Sequence, residues 1–387
     1  MSKSLCAAVL ILLCSSVLYA KQQDVVRCTA GLPRWEGKAG KFKVVLDGSN
    51  PPGDCRLSVS RGNKEMFSVQ AKIIDVLARG ADLNMDTKPD LAFQTGPSAD
   101  CCWTLYLLSL EKSPSLVGQI QNRSPFVYRS EGEYGAPQFL TQDGVFSGFD
   151  GLTAGELADL PSLVIQWEGA KALDVSSYTM KHDESAAKVE SQLAPERVSA
   201  FQQSDGKLEG SGPEVELLRK TKAQVLGITL RYLYAGLDGS AWKKLEEFWP
   251  ERDLLRIRKL LAEALQTGLR SRLGQPPVIM NRNCQGGVVE PLFKVGGKVT
   301  PPRATYSPDP EYSDQARAER LQGTLVLAAV IAADGCIREL RLVRRLGLGL
   351  DEKAIEAVLT WKFDPAKQDG KPIAVRVNIE VSFRMYQ

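Results

Sequence analysis

At the end of the chain, Ile373, Val375, Val377, Ile379, Val381, Phe383 and Met385 alternate with Ala374, Arg376, Asn378, Glu380, Ser382 and Arg384. A period of two puts the apolar set on one face and the polar set on the other, as in a half-buried β-strand. At ~3.3 Å per residue the stretch extends roughly 40 Å, about twice a usual strand. Such a strand is expected to run past its neighbours or to sit at a sheet edge. An exposed edge presents N–H and C=O groups that can accept a further strand. Arg376, Glu380 and Arg384 are also the kind of charges with which natural edges resist pairing. Peptide capture and a guarded edge are both compatible with the pattern.

The preceding residues extend the reading. Pro308, Pro310 and Tyr312 lead into a short helical stretch, 313–321, which Gly323 is expected to end. Residues 324–331 form a β-branched and apolar run, Asp334-Gly335 supplies a hairpin turn, and 337–343 return as a second strand. After Gly347-Leu348-Gly349, Asp351 is placed to cap a helix with Ala354, Ile355, Val358 and Leu359 on one face, ended by Asp364-Pro365. The expected order is α, β, β, α, β.

Tyr312, Ala316, Gly323, Asp334-Gly335, Leu350-Asp351, Ala354, Ala357, Trp361, Phe363 and Pro365 stand in an order and spacing that resemble the C-terminal domain of the TonB family, over residues 301–387. The resemblance implies a small antiparallel sheet backed by two helices. It also implies that the domain binds a short peptide, the TonB box, from the plug of an outer-membrane transporter, mainly by strand addition. On this chain the acceptor would be Val375, Arg376, Val377, Asn378, Ile379, Glu380 and Val381. Two positions depart from the family pattern: Tyr312-Ser313, where a proline commonly follows the tyrosine, and Arg344-Arg345, where small hydroxyl residues commonly follow the second strand. Trp361 and Phe363 read as packing residues at a helix end rather than as binding residues.

At the other end, Lys3 precedes an uncharged stretch, 5–20, with Ala20 offering a small residue for cleavage before Lys21. This is the pattern of a secretory signal peptide and is shorter than the ~20 residues that comfortably span a bilayer. A periplasmic location is expected, with inner-membrane anchoring as the alternative if the segment is not cleaved. Cys14 is a poor lipidation site because bulky Leu13 precedes it. The resemblance further implies inner-membrane motor proteins as partners, reached in TonB through an anchor helix bearing a histidine and a long proline-rich spacer. Neither feature is recognisable in this sequence. The only histidine, His182, lies between Lys181 and Asp183-Glu184 and reads as a solvated residue.

A length of 387 residues, 43% apolar and 25% charged, suits two or three globular domains. The formal charge of +3, without a basic tract, implies neither nucleic acid nor an anionic membrane surface as partner. Of the eight cysteines, Cys6 and Cys14 fall in the leader, leaving Cys28, Cys55, Cys101, Cys102, Cys284 and Cys336. An even number in an exported chain permits disulfides, but sequence does not choose among the 15 full pairings of six cysteines. Adjacent Cys101 and Cys102 are expected to take separate partners, and no CxxC spacing suggests a zinc or redox site.

The fold class read from these patterns is multidomain α+β. Residues 21–175, with short apolar runs broken by Gly, Pro, Asp and Asn, form a β-rich domain; residues 184–273 form a helical region. Leu254, Ile257, Leu260, Leu261, Ala264 and Leu265 make an apolar stripe suited to an internal core, and Trp242, Leu245, Phe248 and Trp249 belong to a segment that Pro250 interrupts. Residues 274–300, rich in Pro and Gly, read as a linker to the TonB-like α/β domain at 301–387.

Within the β-rich region, Asp82, Asn84, Asp86, Lys88 and Asp90 stand at alternate positions. Side-chain oxygens at positions one, three, five and nine, with the Lys88 backbone carbonyl at seven, are what a compact calcium loop supplies. The order resembles the DxNxDGxxD loop of FG-GAP and integrin-like repeats, with Thr87 in place of the glycine. A solvated polar turn is the alternative. Enzyme signals are weak: one histidine gives no nucleophile-base set, no GxSxG elbow occurs, and 296–300 lacks the spacing of a phosphate loop. The chain is therefore expected to be a non-enzymatic envelope protein that binds transporter peptides. A periplasmic scaffold stabilised by calcium is the competing reading.

Overall fold

The computed structural model describes residues 25–29, 31, 34–49, 54–96, 102–130, 137–179, 182–275, 279–281, 284, 292–296 and 298–385, without the side chains of 178–179, 182–183, 238–239 and 294. The expected leader, Cys101 and the His182 side chain lie outside what is described. Among the described residues no helix is long and apolar enough to cross a membrane. The fold is mixed α and β, with strands first, helices in the middle and a small sheet with helices at the end.

The first strands are β1 (Val26–Cys28), β2 (Trp35–Ala39), β3 (Phe42–Asp47), β4 (Cys55–Arg61), β5 (Lys64–Ala71), β6 (Ile73–Arg79), β7 (Asp90–Gly96), β8 (Trp103–Ser109) and β9 (Ser115–Asn122). They form two antiparallel sheets, β2-β3-β4-β5 and β1-β6-β7-β8-β9. Phe42, Val44 and Leu46 meet Leu57, Val59, Ile74, Val76, Leu91 and Phe93 in the core between them. Cys28 and Cys55 join the sheets by a disulfide across Cα atoms 6.0 Å apart. Cys102 is disulfide-bonded as well.

The second sheet is buried on both faces, which explains its near-continuous apolar runs. Leu108 points into the sandwich core, whereas its neighbour Leu107 points into a larger core beyond. That core also takes Phe139, Leu163, Ile165 and Trp167 from a third sheet, ordered β10 (Val127–Arg129), β11 (Gln138–Gln142), β12 (Ser162–Glu168), β13 (Lys171–Asp174). It is completed by helices from the series α1 (Ser176–Thr179), α2 (His182–Glu190), α3 (Pro195–Gln203), α4 (Pro213–Tyr234), α5 (Asp238–Phe248), α6 (Leu254–Thr267) and α7 (Leu269–Arg272). Ile257, Leu261 and Ala264 of the expected stripe are buried there, with Leu245 and Trp249. The strands up to β13 and these helices are called the body below.

A charged cluster is buried in the body. The Lys222 ammonium, with no exposed side-chain surface, lies 2.8 Å from an Asp150 carboxylate oxygen. Arg256 clamps the same carboxylate and also pairs with Asp253. Burial alone raises the Asp150 carboxyl pKa, but the hydrogen bonds and charges of Arg256 and Lys222 outweigh it and hold the carboxyl below its ordinary value.

The remaining elements are β14 (Ile279–Met280), β15 (Phe293–Lys294), β16 (Val299–Thr300), β17 (Arg303–Tyr306), α8 (Asp314–Ala318), β18 (Gly323–Ile331), β19 (Ile337–Arg344), α9 (Leu350–Val358), β20 (Lys362–Asp364), β21 (Lys367–Gln368), β22 (Lys371–Pro372) and β23 (Val375–Phe383). The principal sheet is ordered β14-β19-β18-β23-β15, so α8, β18, β19, α9 and β23 reproduce the expected order. Leu325, Leu327, Ala329, Val375, Ile379, Val381 and Phe383 bury against Ala316, Leu350, Ala354 and Val358, placing both helices on one sheet face.

Three details differ from the sequence reading. Gly323 opens β18 instead of ending α8; the chain reverses at Arg320, which has φ 50°. A β-carbon at Gly323 would stand 2.6 Å from the Leu346 side chain, so glycine there allows close packing. The second helix ends at Val358, before Asp364-Pro365, because Lys362–Asp364 pair with β17. Finally, β23 does not overrun its neighbour: β18 matches it from Gly323↔Phe383 to Ile331↔Val375. Ile373 donates its N–H to Ala366 instead, and Met385 donates to the Gln322 side chain, drawing both ends out of the ladder.

Candidate functional site

Along one side of β23 every residue is paired with β18. On the other side β15 runs parallel to it, with Phe293 opposite Val375 and Lys294 opposite Arg376. Beyond Arg376, no described strand pairs with this outer edge. The Phe293 N–H donates to the Ala374 carbonyl at 3.0 Å. Backbone groups alternate sides along a strand, so the peptide groups of Arg376, Asn378, Glu380 and Ser382 also face outward.

The residues expected to bind peptide fall into two sets. Val375, Ile379 and Val381 are buried in the core under the helices, with Val377 packed beside them. Asn378 and Glu380 are exposed. Arg376 is turned to the body: its Nη1 donates to the Ala235 carbonyl at 3.2 Å, and a β-carbon on Gly236 would come within 2.7 Å of it. The strand thus offers its backbone edge more than a row of free side chains.

The two family-pattern departures have visible roles. Ser313 caps α8 by accepting from the Ala316 N–H at 3.1 Å and donates to the Leu348 carbonyl. Arg345 reaches Glu168 of the body at 2.6 Å, while Arg344 Nε donates to the Thr324 carbonyl at 2.8 Å. Trp361 and Phe363 pack against the domain core as expected, and Trp361 Nε1 donates to the Pro308 carbonyl at 3.0 Å.

Sequence reasoning missed the attachment of Ile279–Met280 and Phe293–Lys294 to this sheet. Ile279 and Met280 pair with β19 at one edge, and Phe293 and Lys294 pair with β23 at the other. Between them Cys284 forms a disulfide with Cys336, on the turn between β18 and β19, across Cα atoms 6.1 Å apart. The even cysteine number was the available signal; two-residue strands leave no periodicity to read.

The acidic loop joins β6 to β7. Carboxylate oxygens of Asp82, Asp86 and Asp90 lie within 4.8 Å of one another. Asn84 is buried beside them, and Thr87, at the glycine position of the loop pattern, has φ 69°. Lys88 donates its backbone N–H to Asp86 at 2.9 Å, while its ammonium turns away to Glu111 at 3.0 Å.

Residues 308–385 match the family model described as Gram-negative bacterial TonB protein C-terminal. The chain is 34% identical over 77 residues to Protein TonB of Vibrio cholerae serotype O1 (strain ATCC 39315 / El Tor Inaba N16961), covering 20% of this chain and 32% of that protein. It is 32% identical over 81 residues to Protein tonB2 of Pseudomonas aeruginosa (strain ATCC 15692), covering 21% of this chain and 30% of that protein. The chain spans about a third of the length of the curated relatives it matches.

Proposed function

Because residues 308–385 form a domain of the TonB C-terminal family, we propose that the chain serves TonB-dependent transport in the cell envelope by adding a transporter peptide to the outer edge of β23. The observation that carries this reading is the outward-facing edge that continues beyond the two residues covered by β15. An extended peptide would continue that parallel pairing or displace Phe293 and Lys294. It would draw on the backbone of Glu380 and Ser382, about four hydrogen-bonding groups at roughly 1 kcal/mol net each. About 4 kcal/mol corresponds to a Kd near 1 mM, so side chains at Asn378 and Glu380 have to add both affinity and selectivity. The chain's place is the periplasmic side of the envelope, its partner a transporter plug peptide, and its role non-enzymatic; contact with inner-membrane motor proteins belongs to the same reading.

The test is a titration of the full chain with N-terminal peptides of the same organism's outer-membrane transporters, following backbone amide shifts. Saturable shifts along Ile379–Phe383 are expected. Glu380→Pro removes one of these outward-facing donors without removing a β18 ladder bond, so it should abolish binding while the chain stays folded. Retained binding by that folded variant would sink the assignment of this edge.

A second reading, a periplasmic scaffold, is favoured by the contacts of Arg345 with Glu168 and Arg376 with Ala235, which fasten the domain to the body. A folded chain without response to any peptide would favour it.

A further inference from the structure

We propose that the β6–β7 loop is a calcium site in which Asp82, Asn84, Asp86 and Asp90 surround one Ca2+. Calcium takes six to eight oxygen ligands at about 2.3–2.6 Å, so two ligands on opposite sides of the ion stand at most roughly 5 Å apart. The carboxylates of Asp82, Asp86 and Asp90, within 4.8 Å of one another, fit a single coordination sphere. The Lys88 carbonyl and water would complete it.

A second observation points to a ligand independently of that clustering. Asn84 Oδ1 and Asp90 Oδ1 are buried without a hydrogen-bond partner, in residues only 2% and 0% exposed, while Asn84 Nδ2 donates to Asp86 Oδ2 at 3.3 Å. A buried acceptor without a partner is destabilising, and a hard cation is a partner that carboxylate and amide oxygens can share. The other oxygens are already oriented by the backbone. Asp82 accepts from the N–H groups of Asp86 and Thr87 at 3.1 and 2.8 Å, and Asp90 Oδ2 accepts from Leu83 at 2.8 Å. A carboxylate oxygen with one such bond retains a lone pair for a metal.

The electrostatics agree. Lys88, the only basic residue within 82–90, spends its charge on Glu111. An ion here would also tie parts together, since Leu83 is buried in the large core and the Asn84 carbonyl accepts from Gly169 N–H, in the β12–β13 turn, at 2.9 Å. Magnesium, which demands near-ideal octahedral geometry at ~2.1 Å and keeps its waters, suits this protein-lined loop less well.

The test is a calorimetric titration of the full chain, stripped with EDTA, with CaCl2, alongside thermal melts. One saturable event is expected, with a rise in melting temperature of ~3–8 °C at saturating calcium and a much smaller rise in MgCl2. Asp86→Asn should weaken calcium binding at least tenfold. Its melting temperature in EDTA should be no lower than the parent's, because one of three mutually repelling carboxylates is gone; Asp82→Asn serves as a second variant for the loss of calcium affinity, with a lower melting temperature in EDTA because one of its two backbone donors then faces Nδ2. Absence of saturable binding up to ~10 mM CaCl2, beyond the weakest extracellular calcium modules, would overturn the proposal. So would parental affinity in both variants, and an equal response to MgCl2 would overturn calcium as the ion.

Discussion

Several carboxylates of the C-terminal domain are answered by neighbours in sequence, whereas several of the body are answered from far along the chain. In the domain, buried Asp351 accepts from the N–H groups of Leu346 and Gly347, five and four residues away, and Asp334 pairs with Arg338 four residues on. In the body, Asp150 meets Lys222 and Arg256 at separations of 72 and 106, and Asp174 meets Arg270 at 96. Buried Asp143 accepts from the backbone of Leu269 and Arg270, 126 and 127 residues away. Local answers leave a motif; distant answers leave only isolated charged residues. The domain is therefore recognisable from its own stretch of sequence, while the body's polar framework emerges only when strands and helices have met.

The largest expected effect strikes the body's buried pair. Lys222→Met leaves Asp150 with Arg256 alone and should cost about 3 kcal/mol, since removing one partner of a buried ion pair strands its charge. Urea unfolding followed by tryptophan fluorescence measures this, and a loss below ~1 kcal/mol would mean that the body does not depend on this long-range pair. In the domain, Gly335→Ala should cost about 2 kcal/mol: the residue has φ 78°, and a β-carbon would fall 1.8 Å from the Phe363 carbonyl. Its effect should remain in the domain, with body amide signals unshifted. The smallest effect concerns Glu156, whose carboxyl is held at about 2 by its hydrogen bond from Arg219, helped by Thr153. A depressed folded-state pKa stabilises above the unfolded value, so this contribution is present above about 4.5 and fades as pH falls toward 2. Glu156→Gln should flatten that part of the acid stability curve, and an unchanged curve would remove Glu156 from the long-range set.

The same contrast explains how much was legible. Alternation over β23, the Asp334-Gly335 turn and the faces of α8 and α9 depend on neighbours in sequence, so they were readable. The Asp-Asn-Asp spacing of the β6–β7 loop was readable for the same reason, but the two unanswered oxygens became visible only once Asn84 and Asp90 were seen to be buried. The length of the final strand was overread because alternation continues through Ile373 and Met385, while Ala366 and Gln322 compete for their N–H groups. Arg376 reads from sequence as an edge charge within the peptide acceptor; its contact with Ala235 spans 141 residues and has no local signature.

The Cys284–Cys336 bond carries a consequence for the life of the molecule after folding. A protease that cuts the chain anywhere between these two cysteines releases no fragment: the halves stay joined until the bond is reduced. Such a nick would be invisible on a non-reducing gel and would appear as two pieces on a reducing one.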